Sequence, residues 1–300
     1  MLRKEFDVGG QAVIEGVMMR SPKFITIAIR KSSGEIMVRK EPYISLTKRF
    51  KFLNIPIIRG VVVLIETLYI GVKALTFSAN EAIEDEEPKA TKESEAEEDK
   101  KGEIFTSIWL FLMVILGIGL GFLLFFYLPL WLTDLLGVKT GFLFNLVDGI
   151  IRIAIFLIYI WLITLWKDMR RIFEYHGAEH KSIHTLEAGE ELTPENMKKY
   201  PTLHARCGTS FLLIVMVVSI AIFMVLGRPK TLADRLVRFS FIPLIAGISY
   251  EFIKLSGKVK NNKLAKILIA PGLWLQKMTT KEPDEKQMEV AIAALKNALD

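Results

Sequence analysis

The chain has 300 residues, of which 51% are hydrophobic and 24% charged, with a formal net charge of +6 and a mean hydropathy of +0.35. Such apolarity beside so much charge requires the two to be segregated, as in a membrane protein with polar domains, and speaks against a wholly soluble domain. The single cysteine excludes an intrachain disulfide framework, and basic residues dispersed along the chain suit anionic lipid headgroups rather than nucleic acid.

Residues 1–20 lack the charged-then-apolar pattern of a cleavable signal peptide, so insertion is expected to rely on internal spans. Residues 1–50 read as a small β-rich domain. Phe24 to Arg30 alternates and is rich in β-formers, Lys31-Ser32-Ser33-Gly34 is a turn signal, and Glu35 to Lys40 is a second short strand. Gln11 to Met19, punctuated by Gly9-Gly10 and Gly16, is either a further strand or a close-approach loop.

Residues 55–80 have a long apolar helical pattern after Pro56, with Arg59, Glu66 and Lys73 recurring every seven residues along one face. A lone lipid-spanning helix would not carry that stripe cheaply, so an interfacial or protein-buried helix is expected. Residues 81–103 hold eleven acidic residues and four lysines and read as a disordered, solvated linker.

Residues 104–255 read as a membrane domain of four spans: Ile104 to Leu132, Phe142 to Trp166, Phe211 to Leu226 and Phe239 to Leu255. In the first, Gly117 and Gly121 have a spacing that permits close helix approach. In the second, Asp148 and Arg152 are expected to form an intrahelical ion pair; with Asn145 they are also the only hint of an ion-coupled transporter. The tail, 256–300, carries a short apolar segment interrupted by Pro271 and an amphipathic helix whose apolar side is Met288, Val290, Ile292 and Leu295. The fold class is therefore a mainly α membrane protein with about four transmembrane helices, an interfacial helix and a small N-terminal β-rich domain.

Lysine and arginine number seven in 167–207 and nine from Lys254 onward, against one in 133–141 and four in 227–238. This bias and the even span number predict a cytoplasmic-membrane protein with both termini and the segment 167–210 in the cytosol.

All four histidines lie in that segment. His176 and His180 are i and i+4 on one helical face, and His176-x-x-Glu179-His180 follows the H-x-x-E-H order of a metalloprotease class in which the glutamate is general base. His176 and His184 are eight residues apart, about 12 Å along a helix, too far for one ion. The other ligands would come from His204, Cys207 or a downstream carboxylate, and Glu251 is one distant option. The predicted centre is a divalent transition metal, zinc among the candidates, on His176, His180, His204 and Cys207, with Glu179 as general base. The plainer alternative is that these histidines hydrogen-bond headgroups or cap helices, and that the cysteine is a small packed residue.

The blocks Gly9 to Arg20, Phe173 to Lys181 and His204 to Phe211 resemble the three signatures of the YqhQ-like bacterial membrane proteins. The resemblance implies a domain of unknown function described as a predicted metal-dependent enzyme. It adds Gln11, Glu15 and Arg20 to the site hypothesis, the β-rich domain folding over the histidine segment; the glycines would otherwise merely shape a compact sheet. Glu15, Arg20, Glu174, His184 and Arg206 are the candidate ligand or substrate contacts. The expected activity is metal-assisted hydrolysis of a membrane protein or lipid at the inner leaflet. A non-catalytic membrane assembly or transport factor with a structural metal is the alternative, and oligomers are compatible with either.

Overall fold

The computed structural model describes residues 8–86, 112–113, 115–205, 207–258 and 263–300. The expected linker 81–103 lies outside the described residues from 87 onward.

Four antiparallel strands, β1 (Gly9–Val13), β2 (Gly16–Arg20), β3 (Phe24–Arg30) and β4 (Ile36–Pro42), form a meander in the order β1-β2-β3-β4. β3 coincides with the alternating run, and Gln11 to Met19 proves to be two strands joined at Ile14-Glu15. Their alternation gives the sheet two apolar faces. Val13, Met18, Ile27 and Ile29 point one way, and Val17, Met19 and Ala28 the other.

After the short α1 (Leu46–Arg49), α2 (Ile58–Glu86) covers the first face with Ile70 and Ala74. The Gln11 amide donates to the Gly71 carbonyl at 3.2 Å, and Ile14 N–H donates to Ser78 Oγ at 3.2 Å. The charged stripe of α2 is fully engaged. Arg59 Nε meets Glu251 Oε1 at 2.6 Å, Glu66 accepts from Leu46 N–H at 2.6 Å, and Lys73 meets Glu41 at 2.5 Å. Its opposite face leaves Ile65, Leu68, Tyr69 and Val72 exposed.

The apolar helices follow. α3 (Ile115–Leu135) contains a π-helical stretch at Leu123–Tyr127, just before Pro129, which has no N–H to donate within the helix. α4 (Gly141–Thr164) ends at a bend, and α5 (Lys167–Ala188) begins after Trp166, whose backbone is extended. The second span and the histidine segment are thus separate helices, broken where the sequence turns from apolar to charged. α5 ends on Gly189 at φ 74°, a left-handed cap. α6 (Pro194–Lys198) and α7 (Gly208–Leu226) follow. α8 (Leu232–Ser240) and α9 (Ile242–Lys258) are separated at Phe241, next to Pro243. α10 (Lys263–Thr279) runs through Pro271, and α11 (Glu285–Leu299) starts with a capping box between Asp284 and Gln287.

Among the described residues, five helices are long and apolar enough to cross a membrane, one more than the four expected, because α2 qualifies from Ile58 to Ile83 despite its charged stripe. In the bundle, Asp148 and Arg152 form the expected i,i+4 pair at 2.8 Å, and Arg238 donates to Asn145 Oδ1 at 2.6 Å and to the Gly227 carbonyl at 2.7 Å. Gly272 lets α10 approach α7, since a Cβ there would lie 2.5 Å from Ser210 Cβ.

α11 packs on the second face of the sheet together with α5. Met288, Val290, Ile292 and Leu295 are all buried there, as the amphipathic pattern predicts. Thr26 Oγ1 donates to the Ala294 carbonyl at 2.7 Å. The N-terminal sheet therefore shares its core with the C-terminal helix, and α5 is fixed between sheet, α11 and the loop entering α7.

Candidate metal centre

α5 is buried nearly all round, although its sequence is strongly polar. His176, His180, His184 and Glu187 recur at intervals of four, four and three, one stripe of the helix. That stripe faces the loop 200–207 and the end of α10.

Each of three histidines is anchored by a backbone carbonyl. His176 Nδ1 donates to Thr279 O at 2.8 Å, His180 Nδ1 to Thr202 O, and His184 Nε2 to Leu203 O at 2.9 Å. A carbonyl can only accept, so each bond fixes the tautomer and leaves the lone pair on the other ring nitrogen. His176 Nε2 then lies 3.2 Å from Cys207 Sγ. The sulfur also accepts from Thr209 N–H at 3.4 Å, which makes Cys207 the N-cap of α7. His204 is held through its backbone: Gln276 accepts from its N–H at 2.8 Å, and donates to its carbonyl at 2.9 Å and to Ser210 Oγ at 3.0 Å.

Two donor groups result. His176, His180 and Cys207 each offer a ligand atom within 4.8 Å of the others, and so do His184, Glu187 and His204. Of the expected ligands His176, His180, His204 and Cys207, His204 lies apart: it groups with His184 and Glu187, its ring 4.6 Å from that of His184 and 5.7 Å from that of His180. The reason is the rise of α5, which carries His184 a turn beyond His180 and level with the earlier part of the loop.

Glu179 lies beside both groups. It is 4% exposed, and its Oε2 is 3.5 Å from His180 Nε2. Burial pushes its carboxyl up from the ordinary range, opposed by His176, His204 and the N–H of Gly10. Burial also pushes His180 and His184 down, so both favour the neutral imidazole that binds metals. Convergent neutral nitrogens, a thiol and carboxylates, with the histidines anchored through their second nitrogens, are the donor chemistry of a transition-metal site.

The other candidates lie elsewhere. Glu15 pairs with Arg171, Nη2 to Oε2 at 2.5 Å, and accepts from Tyr175 OH at 3.3 Å, so it docks the hairpin on α5 instead of reaching a metal. It does so from a left-handed backbone with φ 51°. Arg20 donates to Thr67 Oγ1 at 3.4 Å on α2. Glu174 accepts from Arg170 at 3.3 Å and from Gln287 at 3.0 Å at the start of α11. Glu251 pairs with Arg59. Arg206 lies outside the described residues. Sequence reasoning missed Glu187, Gln276 and Thr279. Glu187 was readable as i+3 from His184; Gln276 and Thr279 carry no local signal.

The DUF1385 family of proteins of unknown function matches residues 55–300. The uncharacterized protein YqhQ of Bacillus subtilis (strain 168) is 33% identical over 297 residues, covering 97% of this chain and 92% of the relative. No solved structure matches. On these matches, the chain belongs to the DUF1385 family, with YqhQ among its relatives.

Proposed function

We propose that this chain is a multi-pass protein of the cytoplasmic membrane and a metal-dependent hydrolase, its histidine site on the cytosolic side. The observation that carries the reading is the anchoring of His176, His180 and His184 by three backbone carbonyls, which leaves their remaining nitrogens free, with His176 and His180 grouped with Cys207 and His184 grouped with Glu187 and His204.

Parity supports this sidedness. The sheet precedes α2, whereas α5 follows α4, yet α5 packs on β1 and β2. Sheet and α5 share a side only if an even number of crossings separates them. With α3 and α4 crossing, α2 does not; it lies against the sheet with its apolar face toward lipid. α7 and the α8–α9 segment then return α11 to that same side, four crossings in all. The lysine and arginine bias assigns that side to the cytosol.

The ligands are drawn from His176, His180 and Cys207, and from His204 with His184 and Glu187 beside it. Zinc or a similar divalent cation would supply Lewis acidity and a more acidic bound water. Glu179, its carboxyl raised by burial, takes the proton from the attacking water and returns it to the leaving group. The substrate class is a membrane protein or lipid presented at the inner leaflet. The burial of Glu179, His180, His204 and Cys207 favours the second reading, a non-catalytic assembly or transport factor with a structural metal.

The two separate experimentally. Full-length protein in phospholipid vesicles is assayed with a chromogenic ester, a chromogenic phosphoester and a fluorogenic peptide, beside Glu179→Gln. The hydrolase reading expects chelator-sensitive turnover that falls about 100-fold or more in Glu179→Gln. Turnover that survives both chelation and the substitution refutes it. A metal-loaded wild type without turnover on any of the three probes favours the structural reading.

A further inference from the structure

The stripe on α5 carries more donors than one ion can use. His176 and His184 sit about 12 Å apart along the helix axis, beyond the reach of a single cation. The loop entering α7 nonetheless sends one donor to each end of the stripe, Cys207 to the first group and His204 to the second. Glu179 stands beside the first group, its carboxylate 3.5 Å from His180 Nε2. Among the described residues no lysine or arginine pairs with it, although a buried carboxylate is costly without a compensating charge.

We propose that the site holds a pair of divalent cations, one on His176, His180 and Cys207 and one on His184, Glu187 and His204, with Glu179 beside the first. The inference rests on the metal-binding reading above and adds its stoichiometry. The two positions differ in chemistry. The first has two imidazoles and a thiolate, a soft set suited to zinc; the second has two imidazoles and a carboxylate, which also suits manganese or iron. Paired cations in hydrolytic sites stand about 3.5–4 Å apart, and the facing rings of His180 and His204, 5.7 Å between centroids, bring the two groups into adjacent positions.

Cobalt(II) titration of full-length, chelator-stripped protein in detergent tests this. The thiolate gives a near-ultraviolet charge-transfer band only at the first position. The expected result is about two equivalents bound, the band saturating with one of them. His184→Ala and Glu187→Gln each lower the count to about one and keep the band. Cys207→Ser loses the band and keeps the second equivalent. Melting curves identify any variant that has lost its fold, and His184→Ala and Glu187→Gln serve as independent probes of the second position. One equivalent with the band, unmoved by either variant, overturns the pair and leaves a single metal site. No bound cobalt in folded wild type overturns the pair and the metal-binding reading together.

Discussion

Gly10 lies directly against the side chain of Glu179, so β1 forms the roof over the most buried carboxylate of α5. A Cβ on Gly10 would lie 2.9 Å from Glu179 Cγ and 2.5 Å from the Met18 carbonyl oxygen. Gly10→Ala should therefore push the sheet off α5 and cost about 1–3 kcal/mol. Gly9→Ala, with nothing within 4 Å, should be neutral. Thermal unfolding of the two variants in detergent checks the contrast, and equal melting temperatures would refute the close approach.

Gly177 plays the same part on the other side of α5. A Cβ there would meet the Lys281 carbonyl oxygen at 2.0 Å, and Lys281 N–H already donates to Phe173 O at 2.9 Å. Backbone cannot yield as a flexible side chain can, so Gly177→Ala should destabilise by about 3 kcal/mol. It should also weaken metal binding, because the displaced segment carries the Thr279 carbonyl that orients His176. Chelator competition on any folded fraction reads the second effect.

Gln276 clamps His204 from both sides of its peptide and holds Ser210. Gln276→Leu keeps the volume and removes all three bonds. Metal affinity should fall roughly 10- to 100-fold, as when a ligand loses its outer support. The group containing His204 should be affected more than the Cys207 group, and a cobalt titration that resolves the two measures the difference.

Within the bundle, burial decides the worth of an ion pair. The side chains of Asp148 and Arg152 are 2% and 10% exposed, while those of Asp134 and Arg228 are 43% and 34% exposed. Asp148→Ala strands a buried guanidinium and should cost about 3–5 kcal/mol. Arg228→Ala should cost less than about 1 kcal/mol. Unfolding in bicelles distinguishes the two.

Local patterns made part of this architecture readable. β3 declares itself through alternation, with Ile27 and Ile29 buried against α2 and Thr26 and Ala28 against α11, and α11 through an amphipathic stripe that buries one face. The β1–β2 hairpin was hidden because its turn, Ile14-Glu15, lacks the glycine or asparagine that usually marks a left-handed position. The charged stripe of α2 correctly signalled protein contact, since Arg59, Glu66 and Lys73 each find a partner, but the partners Glu251, Leu46 and Glu41 lie far from obvious in the sequence. The histidine stripe was visible through helical spacing. Its division into two groups depends on where the 200–207 loop crosses α5, which Gln276 and Thr280 set from about 70 residues away.

Binding of one metal by Cys207 and the α5 histidines together is read out by zinc K-edge X-ray absorption of zinc-loaded, full-length protein, beside Cys207→Ser. The expected spectrum has a sulfur shell at about 2.3 Å with nitrogen at about 2.0–2.1 Å, the sulfur shell vanishing in the variant. A wild-type spectrum with no sulfur shell, or folded protein that retains no zinc, would rule out the shared site.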